Sequence, residues 1–318
     1  MSDVKKVPMR DGYGLALLAL CEARDDILVI DADVAASTRT VWIKEKYPDR
    51  FIDAGISEQD MAGFAAGLAL GGMIPFISTY GVFLAGRAWD QIRTTICYNN
   101  LNVKLGGAHA GISVGPDGAT HQALEDVAIM RVLPNMTVIV PCDAEETRKA
   151  TLAAVEMKGP CYVRFGREGV PVVTDAHTPF TVGKARLVRE GSDVTICANG
   201  ALVYEAVCAA ERLAAEGISA EVIDMHTIKP FDEAALVASV KKTGCVVTAE
   251  EHQMYGGLGS VVSECLCRAY PAPVEMVAME DRFGESGDPD ALMMKYGLTA
   301  DGIIGRVKRV MKNTAKNG

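Results

Sequence analysis

Glu58 stands in Gly55-Ile56-Ser57-Glu58-Gln59-Asp60-Met61-Ala62-Gly63, at the first turn of a segment whose later residues are nearly all small or apolar. A helix N-terminus favours the carboxylate, while burial favours the acid. A glutamate held between those influences can share a proton with a ring nitrogen; otherwise it only caps its helix. A second stretch, His109-Ala110-Gly111-Ile112-Ser113-Val114-Gly115-Pro116-Asp117-Gly118-Ala119-Thr120-His121-Gln122, gathers two of the chain's 5 histidines into one glycine-rich loop. Imidazoles can stabilise a developing alkoxide, and a carboxylate can select a hydroxyl configuration. Gly115-Pro116-Asp117-Gly118 taken alone also reads as a turn. A third stretch, Ser78-Thr79-Tyr80-Gly81-Val82-Phe83, sets two aromatics three apart, a spacing that suits core packing or a platform for an aromatic ring.

These residues need elements to hold them. Apolar runs suited to strands occur at Ile27–Ile30, Ile74–Thr79, Val103–Ala108, Thr137–Val140 and Tyr162–Phe165. Helical patterns cover Gly55–Leu70, with Ser57 as N-cap and Asp60 three residues on, then Gly86–Cys97 and Ala144–Met157. Such alternation predicts a parallel sheet covered by helices on both faces. Residues 168–185, with Pro171, Pro179 and Gly183, lose the pattern, and the domain boundary is placed there. Alternation resumes with strands at Val194–Ala198, Ala220–Asp224, Val246–Ala249 and Val274–Ala278. Helices follow the same order at Leu202–Glu216, Asp232–Lys241, Gly257–Arg268, near 289–296 and at 301–312. The expected division is 1–173, a linker at 174–185, and a smaller α/β domain at 186–318. Ligands of such sheets sit beyond the carboxyl ends of the strands. Ser37, Glu58, Tyr80, His109, Asp117, His121 and Arg167 all fall there.

Composition narrows the class. Of 318 residues, 49% are hydrophobic and 23% charged, as in a soluble globular chain. The net charge of −9 disfavours nucleic acid as a partner. No apolar run reaches the roughly 18 residues of a membrane-spanning helix. The charged start, Met1 to Arg10, does not read as a signal peptide, and the 9 cysteines sit mostly in apolar runs, as reduced thiols of a cytoplasmic protein do. Cys265-Leu266-Cys267 has no second pair and is a poor zinc site.

The glutamate segment, the aromatic pair and the loop ending Asp117-Gly118-Ala119-Thr120-His121-Gln122 together resemble the transketolase family of thiamine-diphosphate enzymes. The likeness covers the family's pyrimidine-binding and C-terminal domains. It implies that Glu58 hydrogen-bonds N1′ of the aminopyrimidine and promotes loss of the thiazolium C2 proton. It implies that Tyr80 and Phe83 stack on that ring; a third family aromatic is replaced here by Gly86. His109 would bind the sugar phosphate, Asp117 a substrate hydroxyl, and His121 the region of the reacting carbon. Arg10, Ser37 and Arg167 match family positions at the phosphate end, where arginine can clamp an anion in a bidentate way. Asp33 matches an acid that lines the cofactor site across a subunit interface. Three further segments, around Asp224-Met225-His226, Glu250–Ser260 and Arg282–Gly287, are similar to the family's C-terminal domain. The glycines at 256–259 look like a phosphate-binding loop, although a tight turn into a packed helix is the preferred reading.

The family's Gly-Asp-Gly magnesium motif does not occur in this chain. The resemblance therefore implies that the diphosphate and Mg2+ lie on a partner, an N-terminal subunit, with two copies of each chain in the active assembly. The expected function is ketol transfer between a ketose phosphate and an aldose. Alternatives are the equivalent half of a deoxyxylulose-phosphate synthase, a 2-oxo-acid dehydrogenase beta subunit, or an inactive scaffold subunit. His109 and the Asp117-to-His121 loop favour transketolase.

Overall fold

In the computed structural model, which describes residues 4–314, two sheets organise the chain. The larger has seven strands in the order Thr227–Lys229, Thr137–Ile139, Cys161–Arg164, Lys104–Ala108, Ile74–Tyr80, Ile27–Asp31 and Phe51–Asp53. Its pairings are parallel except at Thr227–Lys229, which runs antiparallel to Thr137–Ile139. The second has five strands, in the order Val274–Met279, Val246–Gln253, Val194–Ala198, Ala220–Asp224 and Arg186–Arg189, with the last antiparallel. The expected α/β class with mainly parallel sheets is what the chain adopts.

Burial explains why the strands read as continuous apolar runs. Successive residues pack on opposite faces of the large sheet. Ile27, Val29 and Phe76 join the cluster that holds Tyr13 and Leu17, whereas Ile30, Ile77 and Leu105 join the one that holds Met61, Ala65 and Leu84. A parallel sheet with both faces covered needs this composition. The second cluster runs on into Cys197, Ile223 and Val262, so the two halves share one core.

Besides the short strands Phe51–Asp53, Arg186–Arg189 and Thr227–Lys229, which the sequence reading lacks, four local features differ from it. Helix Met9–Ala23 is not evident from the strand–helix alternation, yet Met9, Tyr13, Leu17 and Leu20 bury one stripe of it. The helix expected at Gly86–Cys97 is broken into a short turn at Trp89–Gln91 and a π-helix at Ile92–Cys97, preceded by helix Gly81–Gly86. Ser57 occupies the N-cap position, but its hydroxyl donates to the carbonyl of Ala54 at 2.8 Å instead of capping the helix. Within 168–185 the chain forms a strand, Gly169–Pro171, that pairs with Lys6–Pro8.

Strand Lys104–Ala108 delivers His109 to the site, and it tolerates no side chain at two positions. A Cβ on Gly106 would meet the Tyr13 ring, and one on Gly107 would overlap Tyr162. Both tyrosines are fully buried and hydrogen-bonded, Tyr13 to Ser78 and Tyr162 to Asp126, each at 2.7 Å. Gly107→Ala should therefore destabilise the folded chain by about 1–3 kcal/mol through overpacking. Denaturant unfolding checks this; an unchanged midpoint would show that Tyr162 can yield.

Candidate active site

The carboxyl ends of strands Ile27–Asp31, Ile74–Tyr80 and Lys104–Ala108 open at one edge of the large sheet, and each places a functional group there. Buried Asp31 organises the first loop. Its carboxylate accepts from the Val34 N–H at 2.6 Å and from the hydroxyls of Thr38 at 2.7 Å and Thr40 at 2.8 Å. Burial pushes its pKa up to about 6 against those bonds. The loop carries Ser37 and, with left-handed backbones, Asp33 (φ 60°) and Arg39 (φ 68°). Asp33 is exposed, and its N–H donates to Asp53 Oδ1 at 3.2 Å.

Tyr80 ends the second strand and is the hub of the cluster. Its ring lies 5.9 Å from Phe83, 4.4 Å from His109 and 5.8 Å from His121, centroid to centroid. Phe83 lies 5.2 Å from His121. The Tyr80 and Ser37 hydroxyls are 3.1 Å apart, and Arg10 Nη1 donates to the Ser37 carbonyl at 3.2 Å. At the opposite end Glu58 begins helix Glu58–Leu70. It is buried, yet it borders an open cleft of about 650 Å³ formed by Ile56, Ser57, Gln59, Asp60 and Arg87. Arg87 Nη1 donates to both Glu58 oxygens, at 3.2 and 3.3 Å, and its guanidinium lies 4.2 Å over the Phe83 ring. The contacts thus run continuously from a carboxylate, through aromatic rings, to guanidinium groups.

The loop from His109 to Gln122 is held from the second half of the chain. Glu251, buried in strand Val246–Gln253, accepts from the Ser113 N–H at 2.6 Å, and a Cβ on Gly111 (φ 93°) would overlap its carboxylate. Burial pushes the Glu251 carboxyl up, opposed by Arg164 and Ser113. Gln122 Nε2 donates to the carbonyls of Ile112 at 3.1 Å and Glu285 at 3.0 Å. His121 Nδ1 is 2.9 Å from the Thr120 hydroxyl. Arg167 Nη1 donates to the Val114 carbonyl at 3.2 Å and lies 3.4 Å from Asp117, so the hydroxyl-reading carboxylate expected from resemblance sits against an arginine expected to hold phosphate. Glu250 accepts from the N–H groups of Leu258 at 2.7 Å and Gly259 at 2.8 Å. The amides that a phosphate at glycines 256–259 would need are therefore taken, in keeping with the tight-turn reading.

The structure brings Arg10, Ser37, Tyr80, Phe83, His109 and His121 into one contact network, with Asp117 and Arg167 paired beside it and Asp33 exposed on the Ser37 loop. The sequence alone does not single out Arg87, Arg39, Arg164 or Glu251. Arg87 has a local signal, since it follows Phe83 by four residues, one helical turn. Glu251 has none, because it reaches the loop from 138 residues away.

The cleft suits an aminopyrimidine. A buried carboxylate opens onto it, and Arg87, which lines it, lies over the Phe83 ring; farther along the cluster, buried His109 Nδ1 has no hydrogen-bond partner. It does not suit a diphosphate with a metal. Among the described residues the group able to supply three metal ligands is Cys142, Glu146 and Asp224, which is buried in a different place and bonded through Asp224 to Arg186 at 2.9 Å. Fold and site together define a chain of parallel α/β units with an open cleft beside Glu58 and a cluster of aromatic and imidazole rings at the strand ends.

The comparisons with known proteins agree. The family model described as transketolase, pyrimidine binding domain, matches residues 5–172, and that of the transketolase C-terminal domain matches residues 183–303. The chain is 42% identical to a putative transketolase C-terminal section of Methanocaldococcus jannaschii, with 96% of each covered. It is 44% identical to the 6-deoxy-6-sulfo-D-fructose transketolase subunit SqwH of a Clostridium species, covering 93% of this chain and 92% of that one. A solved structure described as a split gene transketolase, inactive beta4 tetramer, superposes with a TM-score of 0.89 at 46% identity, covering 97% of this chain and 99% of that one. The chain belongs to the transketolase family.

Burial, then the nearby Arg10, Arg167, His121 and Arg39, push the His109 pKa down to about 3. The folded value lies below the unfolded value of about 6.5, so between these values only the unfolded chain takes up this proton. Stability carried by neutral His109 is complete above about pH 6.5 and is lost as pH falls toward 3. Imidazole NMR should show His109 unprotonated from pH 5 to 8, and His109→Gln should reduce the acid sensitivity of unfolding. A midpoint near neutrality would contradict the burial argument.

Proposed function

We propose that this chain is the C-terminal subunit of a two-chain transketolase. It would move a two-carbon ketol unit between a ketose phosphate and an aldose in the presence of thiamine diphosphate. The observation that carries this reading is the continuous run from Glu58 through Arg87 to Phe83, His121, Tyr80 and His109, and from Tyr80 through Ser37 to Arg10. In the proposal residues 1–173 and 186–318 are its two domains, joined by 174–185.

Thiamine diphosphate, when bound, would supply the nucleophilic carbon for the transfer. Glu58 would hold or move a proton at the pyrimidine N1′ position, and Tyr80 and Phe83 would offer ring faces to the aminopyrimidine. Asp33 would line the cofactor site across the subunit interface. Neutral His109 can donate a hydrogen bond to a substrate oxygen without adding a full charge, and His121 would reach the region of the reacting carbon. Arg10, Ser37, Arg167 and His109 would receive the phosphate, and Asp117 would read a hydroxyl. An N-terminal subunit would hold the diphosphate and Mg2+, two copies of each chain forming the working unit. The structural relative described as an inactive beta4 tetramer supports the view that a chain of this kind does not act alone.

The test is reconstitution. The purified chain should show no ketol transfer alone and should gain it with a diphosphate-domain subunit. Turnover by this chain alone, with partner absent by mass spectrometry, would refute the two-chain reading. In the assembled enzyme Glu58→Gln should slow cofactor C2-proton exchange, followed by NMR, by about 10²–10⁴-fold, the worth of one proton-transfer role. Near-normal exchange would remove Glu58 from that role.

A further inference from the structure

The anion end of the site holds one more cation than the resemblance supplies. Arg39 lies two residues beyond Ser37, at a left-handed backbone position (φ 68°) that an arginine rarely adopts. That turn brings its side chain back over its own loop. Nη1 donates to the Ala36 carbonyl at 3.1 Å, while Arg10 Nη1 donates to the next carbonyl, Ser37, at 3.2 Å. The two guanidinium groups therefore dock side by side on the turn that presents the Ser37 hydroxyl. Arg39 Nε also pairs with Asp11 Oδ1 at 2.7 Å, and Asp11 is the chain neighbour of Arg10. Both members of the pair stay about a quarter exposed, at 26% and 28% of their side-chain surface. Arg39 lowers the pKa of Arg10, after burial, and contributes to lowering that of His109, so its field reaches both. Backbone strain of this kind is retained where the surroundings enforce it, often at a ligand clamp.

We infer that Arg39, tethered by Asp11, is a specificity-determining residue at the anion end, biasing the site toward a terminal phosphate dianion over a sulfonate monoanion. Three arginines, Arg10, Arg39 and Arg167, face the end of the cluster marked by His109; Asp11 pairs with Arg39, and Asp117 and Glu168 both pair with Arg167, while among the described residues Arg10 has no carboxylate partner and its buried Nε no hydrogen-bond partner. A monoanion leaves part of that positive charge uncompensated, and a dianion compensates more of it. Asp11 competes with the ligand for Arg39 and so sets how much of its charge the ligand feels.

The inference rests on the proposed placement of substrate phosphate, and one titration separates the two. Methyl phosphate at pH 8 and methanesulfonate serve as probes, added to the purified full chain and followed by the imidazole signals of His109. Arg39→Met should weaken methyl phosphate about three- to fivefold, as expected for a partly exposed charge interaction, with a smaller effect on methanesulfonate. Asp11→Asn breaks the same ion pair and should instead tighten methyl phosphate. A merely structural pair would give both variants the same sign, and that outcome overturns the inference, as does equal weakening of both probes by Arg39→Met. Should Arg39→Met fold poorly, Asp11→Asn with Arg39→Lys, which keeps the charge and should retain most phosphate binding, carries the test. If methyl phosphate binding is unaffected even by Arg167→Ala, the proposed phosphate position itself fails.

Discussion

One buried guanidinium, Arg164, ties the end of the His109–Gln122 loop to the central strand and to the second sheet. It ends strand Cys161–Arg164 and is almost wholly removed from solvent. Its Nε pairs with Asp126 at 2.9 Å, and Nη2 donates to the carbonyls of Ala123 at 3.0 Å and Glu251 at 2.8 Å. The Tyr162 hydroxyl donates to the same Asp126 oxygen at 2.7 Å. Burial opposes the charge, but Asp126 and Glu251 more than offset it, and the pKa rises. A charge so placed is tolerable only when its partners are complete, and removing any one of them exposes the rest to the cost of an unpaired buried group. The strand, the end of the His109–Gln122 loop and the second sheet therefore form one mechanical unit. The His109–Gln122 loop thus owes its shape to buried residues outside the Tyr80 cluster.

From that fixed frame the site grades in charge along its length. The Glu58 end is a single buried carboxylate balanced by half-exposed Arg87. The middle is aromatic, with imidazoles packed edge-on against Tyr80. The far end is cationic, and burial together with those cations keeps His109 neutral. Under the proposed function such grading would orient an extended ligand without a deep pocket: a ring with basic nitrogen at one end, uncharged polar atoms between, an anion at the other. Water competes least at buried Glu58 and His109, where a hydrogen bond gains most.

Much of this was legible in the residues. Continuous apolar strands and small-residue helices carry local signatures, so the α/β class follows from adjacent sequence, whereas Arg10 and Ser37 are assigned to the anion end only through the family resemblance. What did not follow depends on distance along the chain or on backbone conformation. Glu251 supports Ser113 only because the second sheet packs against the first. Arg39 reaches Asp11 because its backbone turns left-handed, which residue type does not announce. The π-helix at Ile92–Cys97 replaces an ordinary helix that the same apolar pattern would fit equally well. The hydroxyl of Ser57 chose the Ala54 carbonyl over the helix amides, a competition that Ser side chains enter whenever a nearby acceptor is in reach.

Strand Thr227–Lys229 has a consequence for how the protein is made. It covers the edge strand Thr137–Ile139, which otherwise presents unpaired amides and carbonyls. During synthesis that edge emerges long before its cover does. At about 5–20 residues per second, the nascent chain would wait on the order of several seconds or longer with an open, apolar sheet edge beside the ribosome. Early arrest, truncation or slow translation in this interval would leave a sticky template for other nascent chains.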